Sequence, residues 1–191
     1  MSDLSLEEVL AEACQKLNEG CFEDALERFD HYLLFRPEEA KAYYGRGMAH
    51  FQLKKWPDAI NNFKKADELD PEDLESWVGL AMSLAGNDEI YEAIKVFETL
   101  LTRHPQYVRG HIQLGQLYYR LGVISKGHAQ MDRALNSRPS LSERRLIEQL
   151  QKEQKMLDKK RYYRPDFEEL RKQNKSQDSF IEKVIAYFNR K

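Results

Sequence analysis

Proline stands at positions 37, 71, 105 and 139, so three successive intervals have the same length of 34 residues. Only Pro57 and Pro165 fall off this ruler. A constant period of roughly 20–50 residues marks a chain of stacked supersecondary units, each too small to bury its own apolar face and each covered by its neighbour. That spacing constrains the fold more than any other feature of the 191 residues.

Other columns keep the same phase. Five residues before each proline stand Tyr32, Ala66, Leu100 and Ala134. Eight before it are the large Phe29, Phe63, Phe97 and Met131, and twelve before it the small Ala25, Ala59, Ala93 and Gly127. Earlier in each unit come a second small column, Ala13, Gly47, Ala81 and Gly115, and a bulky one, Phe22, Trp56, Ile90 and Ile124.

Within a unit the apolar residues recur three and four apart, the period of a helix and not of a strand. Tyr43, Gly47, His50 and Phe51 make one stripe; Trp56, Ala59, Ile60, Phe63 and Ala66 make the next. The run from Lys54 to Asp58 changes the phase between them, as a turn must. Gly20, Gly86 and Gly122 occupy the corresponding turns elsewhere and suit helix C-caps. Each period therefore holds two antiparallel helices of ~12–14 residues. The small columns let helix axes approach to ~8–10 Å, and the large columns fill the adjoining gaps. The closing proline ends the second helix and aims the chain into the next unit. The predicted fold is all-α: a solenoid of antiparallel helix pairs with units at 6–39, 40–73, 74–107 and 108–141.

These columns carry a resemblance. The third unit (Trp77, Leu80, Ala81, Leu84, Ala93, Phe97, Leu100, Pro105) is similar to a tetratricopeptide repeat almost column for column. The fourth (Leu114, Gly115, Tyr118, Gly122, Ala134, Pro139) and the second (Tyr43, Gly47, Ala59, Phe63, Ala66, Pro71) are close. The first departs where Glu12 and Lys16 replace apolar positions, which suits an N-terminal capping helix whose outer face meets water. The resemblance implies a right-handed superhelix in which the first helix of each repeat lines a concave face. It places the partner-contacting positions at Leu10, Cys14, Lys41, Tyr44, Met48, Gln52, Val78, Met82, Arg109, Ile112, Gln116, Tyr119 and Arg120, flanked by Glu7 and Glu75.

Such a groove has a floor containing Met and Tyr, with polar residues at its edges. Tyr gives contact area at low entropic cost and Met adapts to irregular shapes, so an amphipathic helix or an extended apolar peptide of another protein fits it. Family members that clamp the C-terminal carboxylate of heat-shock chaperones use clustered Lys, Asn and Arg. The matching positions here are Leu10, Cys14, Gly45, Glu75 and Gly79, or one repeat later Tyr44, Met48, Gly79, Arg109 and Gln113. Neither set offers the convergent donors a carboxylate needs. The expected role is a protein-binding adaptor or assembly chaperone. The alternative is a structural subunit that self-associates, or locks into a larger complex, through its terminal helices.

Composition sets the outer limits. With 41% hydrophobic and 32% charged residues, the chain is too apolar for disorder and too charged for a membrane protein. No stretch approaches the ~18 uninterrupted apolar residues of a span. The acidic start lacks a secretory pattern, and Cys14 and Cys21 fit two reduced, half-buried thiols, so a cytoplasmic location is expected. Residues 1–141 carry a net charge of -7 and residues 142–191 one of +5. An acidic repeat body repels phosphate, so nucleic acid is not the expected partner. His31, His50, His104, His111 and His128 show neither metal-ligand spacing nor a nucleophile motif, and Gly45 and Gly47 lie within a helix, not a phosphate loop. No enzyme activity, metal or cofactor is expected.

Beyond the repeats, Ser140 and Glu143 form a capping-box pattern opening a capping helix over 142–163, with Leu146, Ile147, Leu150 and Leu157 as its apolar residues. A polar linker follows over 164–178. Ser179 and Glu182 open a second pattern, an amphipathic helix over 179–190 with Phe180, Ile181, Val184, Ile185 and Phe188 on one face. So short a helix is marginal alone and must dock. Its expected seat is the capping helix or the last repeat; the alternative is the acidic repeat body or its groove, in competition with a partner.

Overall fold

The computed structural model describes residues 5–162, and every regular element within them is helical. The first repeat contains α1 (Leu6–Glu19) and α2 (Phe22–Phe35), and the second α3 (Ala40–Gln52) and α4 (Trp56–Leu69). The third contains α5 (Leu74–Gly86) and α6 (Ile90–Arg103), the fourth α7 (Val108–Arg120) and α8 (Ile124–Asn136), and α9 (Leu141–Tyr162) follows. From α1 to α8, each helix packs on the next in sequence. The first helices of neighbouring repeats also touch, α1 with α3 and α3 with α5, whereas among the described residues no comparable contact joins the second helices. The stack therefore curves with its first helices on the inside. Among the described residues, the four repeats form an all-α solenoid.

The helix ends follow from local chemistry. Ser5 and Glu8 cap α1 reciprocally, the Ser5 amide donating to the Glu8 carboxylate at 2.7 Å. Asp73 caps α5, accepting from the backbone N–H groups of Glu75 and Ser76 at 3.2 Å and from the Ser76 hydroxyl at 2.6 Å. At the C-terminal ends, Gly20 (φ 81°) and Gly122 (φ 74°) take the left-handed conformation that favours glycine. Gly86 does not. It ends α5 in ordinary helical geometry, and the turn's left-handed residue is Asp88 (φ 67°). The reason for a glycine there is packing: a Cβ on Gly86 would lie 2.8 Å from the Trp56 ring.

The same physics joins the repeats. Phe29, Phe63, Phe97 and Met131 are fully buried. The Phe29 ring lies on the backbone of the next repeat at Gly45, where a Cβ would come within 2.3 Å; Phe63 lies on Gly79 at 2.5 Å. The equivalent of Gly45 and Gly79 in the fourth repeat is Gln113, so this ring-on-glycine contact stops at the third junction. There Tyr107 and Leu101 crowd Gly110 instead. Arg46 ties three helices, donating to Asp30 on α2 and to Asn62 on α4, both at 2.6 Å.

Two expectations about the first repeat are corrected. Glu12 is only partly open to water: it pairs with Arg28 of α2 at 3.3 Å, because a carboxylate at a core column turns to the nearest cation. Cys14 is exposed, not half-buried, while Cys21 is half-buried; both are free.

The chain divides after Arg144 into two units. In α9 the amide of Ser140 donates to the Glu143 carboxylate at 2.8 Å, and the Glu143 amide returns a bond to the Ser140 hydroxyl at 3.3 Å. Ile147 is buried, whereas Leu146 (42%), Met156 (54%) and Leu157 (59%) are exposed. The proposed linker and C-terminal helix, 164–178 and 179–190, lie outside the described residues. No helix among the described residues is long and apolar enough to cross a membrane.

Candidate functional site

Residues 34 apart sit side by side on adjacent first helices, so each column of the sequence becomes a row across the inner face. The outermost row is Glu7, Lys41, Glu75 and Arg109, alternating in sign along the stack. Glu75 and Arg109 form an ion pair across the third junction, and the Tyr107 hydroxyl donates to the same carboxylate at 2.7 Å. Burial, reinforced by that bond and by the Glu75 charge, raises the Tyr107 phenol far above its ordinary pKa. The Tyr44 phenol is raised as well, chiefly by burial and then by Glu75. Both tyrosines are therefore neutral hydrogen-bonding groups beside a charged pair.

The next rows form the floor. Leu10, Tyr44, Met48 and Met82 are half-buried: each packs on the apolar core and leaves part of its surface open. The Tyr44 ring stands edge-on to Phe63 at 5.8 Å, which fixes its orientation. Cys14, Lys41, Gln52, Arg109 and Arg120 are exposed and Gln116 is half-buried.

Three of the expected contact residues have other surroundings. Val78 and Ile112 are each 3% exposed. Their side chains end below the surface and belong to the core. Tyr119 turns toward α8: its hydroxyl is 2.9 Å from His128 Nδ1, its ring is edge-on to that imidazole, and it occupies the space a Cβ on Gly127 would need. Gly45 and Gly79, two of the positions at which chaperone clamps carry donors, lie beneath Phe29 and Phe63. Tyr107 is the polar groove residue that the sequence reading missed. It occupies the N-cap column of its repeat, where Ser5, Glu39 and Asp73 stand elsewhere, and that break in pattern was its signal.

The charge of this face differs from that of the repeat body. The four inner helices carry Glu7, Glu8, Glu12, Glu19 and Glu75 against Lys16, Lys41, Arg46, Arg109 and Arg120, a balanced set. The acidic excess lies in the outer helices and the turns. Among the described residues no group of three His, Cys, Asp or Glu could hold a metal ion. His111 is buried between the Pro105 carbonyl, 2.9 Å from Nε2, and the Gln130 side chain, 2.8 Å from Nδ1, a structural arrangement.

The family model of the tetratricopeptide repeat matches residues 40–73, the second repeat in the register of the prolines. Residues 40–73 of this chain are thus similar to a tetratricopeptide repeat, and the other three units share their columns. Superkiller protein 3 of Saccharomyces cerevisiae is 36% identical over 61 residues, which cover 32% of this chain but only 4% of that relative's length. Among solved structures, the crystal structure of MamA superposes with a TM-score of 0.64 at 22% identity, over 70% of this chain and 78% of that one. A MamA chain beginning at its residue 41, from Desulfovibrio magneticus RS-1, gives 0.64 at 19% identity, over 92% and 99%. The likeness supports a protein-interaction role for the repeat body in general terms.

Proposed function

We propose that the inner face of the four repeats holds an amphipathic helix or an extended apolar peptide of a partner protein, and that the chain acts as an adaptor or assembly chaperone. The observation that carries this reading is the half-open apolar strip of Leu10, Tyr44, Met48 and Met82, bordered by Lys41, Gln52 and the Glu75–Arg109 pair. Flexible thioethers and an oriented phenol ring accept apolar side chains of varied shape. The neighbouring charged pair and its two neutral tyrosines accept hydrogen bonds from, or donate them to, the polar flank of the same ligand. Such a surface grips a ligand through packing and hydrogen bonds.

The test is quantitative pull-down from the source cell with the wild-type chain and with a Tyr44→Ala/Met48→Glu/Met82→Glu variant of matched helicity. Clients of the groove are retained by the first and lost by the second. Identical partner sets would overturn the proposal. Solution mass of the isolated chain, measured over a range of concentrations, separates this role from that of a self-assembling subunit, which forms oligomers without any partner.

A further inference from the structure

A cleft of about 680 Å³ opens between the second helices of the third and fourth repeats. Its floor is Leu101 of α6, His111 and Leu114 of α7 and Gln130 of α8, all buried. Glu98 and Thr102 stand on one rim and Arg133 on the other, all exposed. The repeat pattern explains the opening. The column that holds His111 holds Tyr43 in the second repeat and Trp77 in the third. Trp77 packs on the core with its indole beside the Asp67 side chain of α4, and the Arg103 guanidinium of α6 lies 5.0 Å from its ring centre. It therefore bridges the second helices of its junction, and Asp67 and Arg103 are the counterparts of Leu101 and Ser137 in the cleft. Tyr43 packs on the core one repeat earlier, with the Arg46 guanidinium 5.2 Å from its ring centre. His111 is smaller and is held on the floor, Nε2 lying 2.9 Å from the Pro105 carbonyl and Nδ1 2.8 Å from the Gln130 side chain. The third junction thus keeps the recess and lacks the ring. We infer that this cleft binds an aromatic side chain, above all a tryptophan, of a partner protein.

The chemistry of the walls repeats what Trp77 meets in its own place. Leu101 and Leu114 offer apolar surface to a ring. Arg133 supplies a cation for its π face, as Arg103 does for Trp77. The Glu98 carboxylate already accepts the Tyr118 hydroxyl at 2.9 Å, and a carboxylate has lone pairs enough to accept an indole N–H as well. An aliphatic side chain would use the floor alone and leave both rims unengaged. A single aromatic anchor in a recess with a polar rim is the arrangement that concentrates binding energy at protein interfaces. This cleft belongs to the second helices, whereas the peptide groove belongs to the first helices, so neither reading depends on the other.

The experiment titrates the full, isotope-labelled chain with N-acetyltryptophanamide and follows its backbone amides by NMR. Saturable shifts gather around Leu101, His111 and Gln130 at millimolar ligand, and N-acetylleucinamide binds there at least about tenfold more weakly. Two variants close the cleft. His111→Trp restores the ring of the third repeat, and Thr102→Trp sets one on the exposed rim, where the fold does not depend on it. Each weakens binding of the tryptophan amide by at least about tenfold. Absence of saturable shifts, shifts centred on Tyr44 and Met82, an equal response to the leucine amide, or undiminished binding by the folded Thr102→Trp chain would overturn the inference. Self-association of the natural chain that Thr102→Trp abolishes would overturn it in favour of a second copy.

Discussion

Replacing Gly79 by alanine tests the packing rule that joins the repeats. In an exposed helix this change stabilises by about 0.5–1 kcal/mol, because alanine loses less backbone entropy on folding. Here the new methyl would stand 2.5, 2.6 and 2.8 Å from three carbons of the Phe63 ring. Ordinary contact begins near 3.4 Å, so the ring or α5 must retreat by about 1 Å. Phe63 is fully buried and braced by Tyr44, so its retreat disturbs the core on both sides. Overpacking of this kind costs about 1–3 kcal/mol, which outweighs the helix gain and leaves a net loss of about 1–2 kcal/mol. In a Phe63→Leu background the ring is gone and the helix term alone remains. The sign then reverses, and Gly79→Ala stabilises by about 0.5–1 kcal/mol. Urea unfolding of the four proteins of this cycle, followed by circular dichroism, measures a coupling of about 1.5–3 kcal/mol. Additive effects, or a stabilising Gly79→Ala in the natural chain, would refute the ring-on-glycine account of the junction.

Asp73→Ala removes three acceptor contacts at the start of α5 and should cost about 1–2 kcal/mol in urea unfolding. Client affinity should fall with it, since the same turn carries Glu75. Tyr107→Phe deletes the bond to Glu75 and should cost about 0.5–1.5 kcal/mol, with loosened Arg109 side-chain order visible by NMR. The Tyr118 phenol is pushed up to about 12, mainly by burial and then by its bond to the Glu98 carboxylate, against about 10 in an unfolded chain. The folded state therefore retains that proton more tightly. The stability this provides is complete below pH 10 and is lost as pH rises from 10 toward 12. Tyr118→Phe should flatten the alkaline limb of a stability–pH curve; an unchanged slope would count against the assignment.

The repeat register was legible because every unit solves the same packing problem, and a residue at one position is interpretable from three counterparts. The groove was legible only in part. The row Leu10, Tyr44, Val78 and Ile112 occupies one column, yet exposure differs along it because the side chains differ in reach. Val and Ile branch at Cβ and end at the helix interface, whereas the ring of Tyr44 extends past it. Tyr119 shares its column with Phe51 and Ala85, and what redirects it is across the hairpin. Gly127 replaces the alanine of that column and leaves room for the ring, and His128 supplies a partner. Gly86 shows the same limit. A glycine near a helix end reads as a cap, but the Trp56 ring against it comes from the preceding repeat.

The departures from the repeat pattern also locate the polar end of the groove. At the first two junctions an aromatic ring meets a glycine backbone, a contact of little directional preference, to which the first adds the Arg46–Asp30 bond. At the third, Gln113 excludes that contact, and α7 is joined to the third repeat through Tyr107 and Arg109 on Glu75, Tyr118 on Glu98, and His111 on the Pro105 carbonyl. Hydrogen bonds are directional, so this junction fixes side-chain orientations that apolar packing would leave free. It does so where a charged pair meets the Met-lined floor. A groove that was apolar throughout would hold any greasy helix in any register. One oriented ion pair at its end makes sliding a ligand by a turn costly, because the slid ligand leaves polar groups unmatched. If the inner face holds a peptide as proposed, the irregular junction supplies register and the regular ones supply contact area.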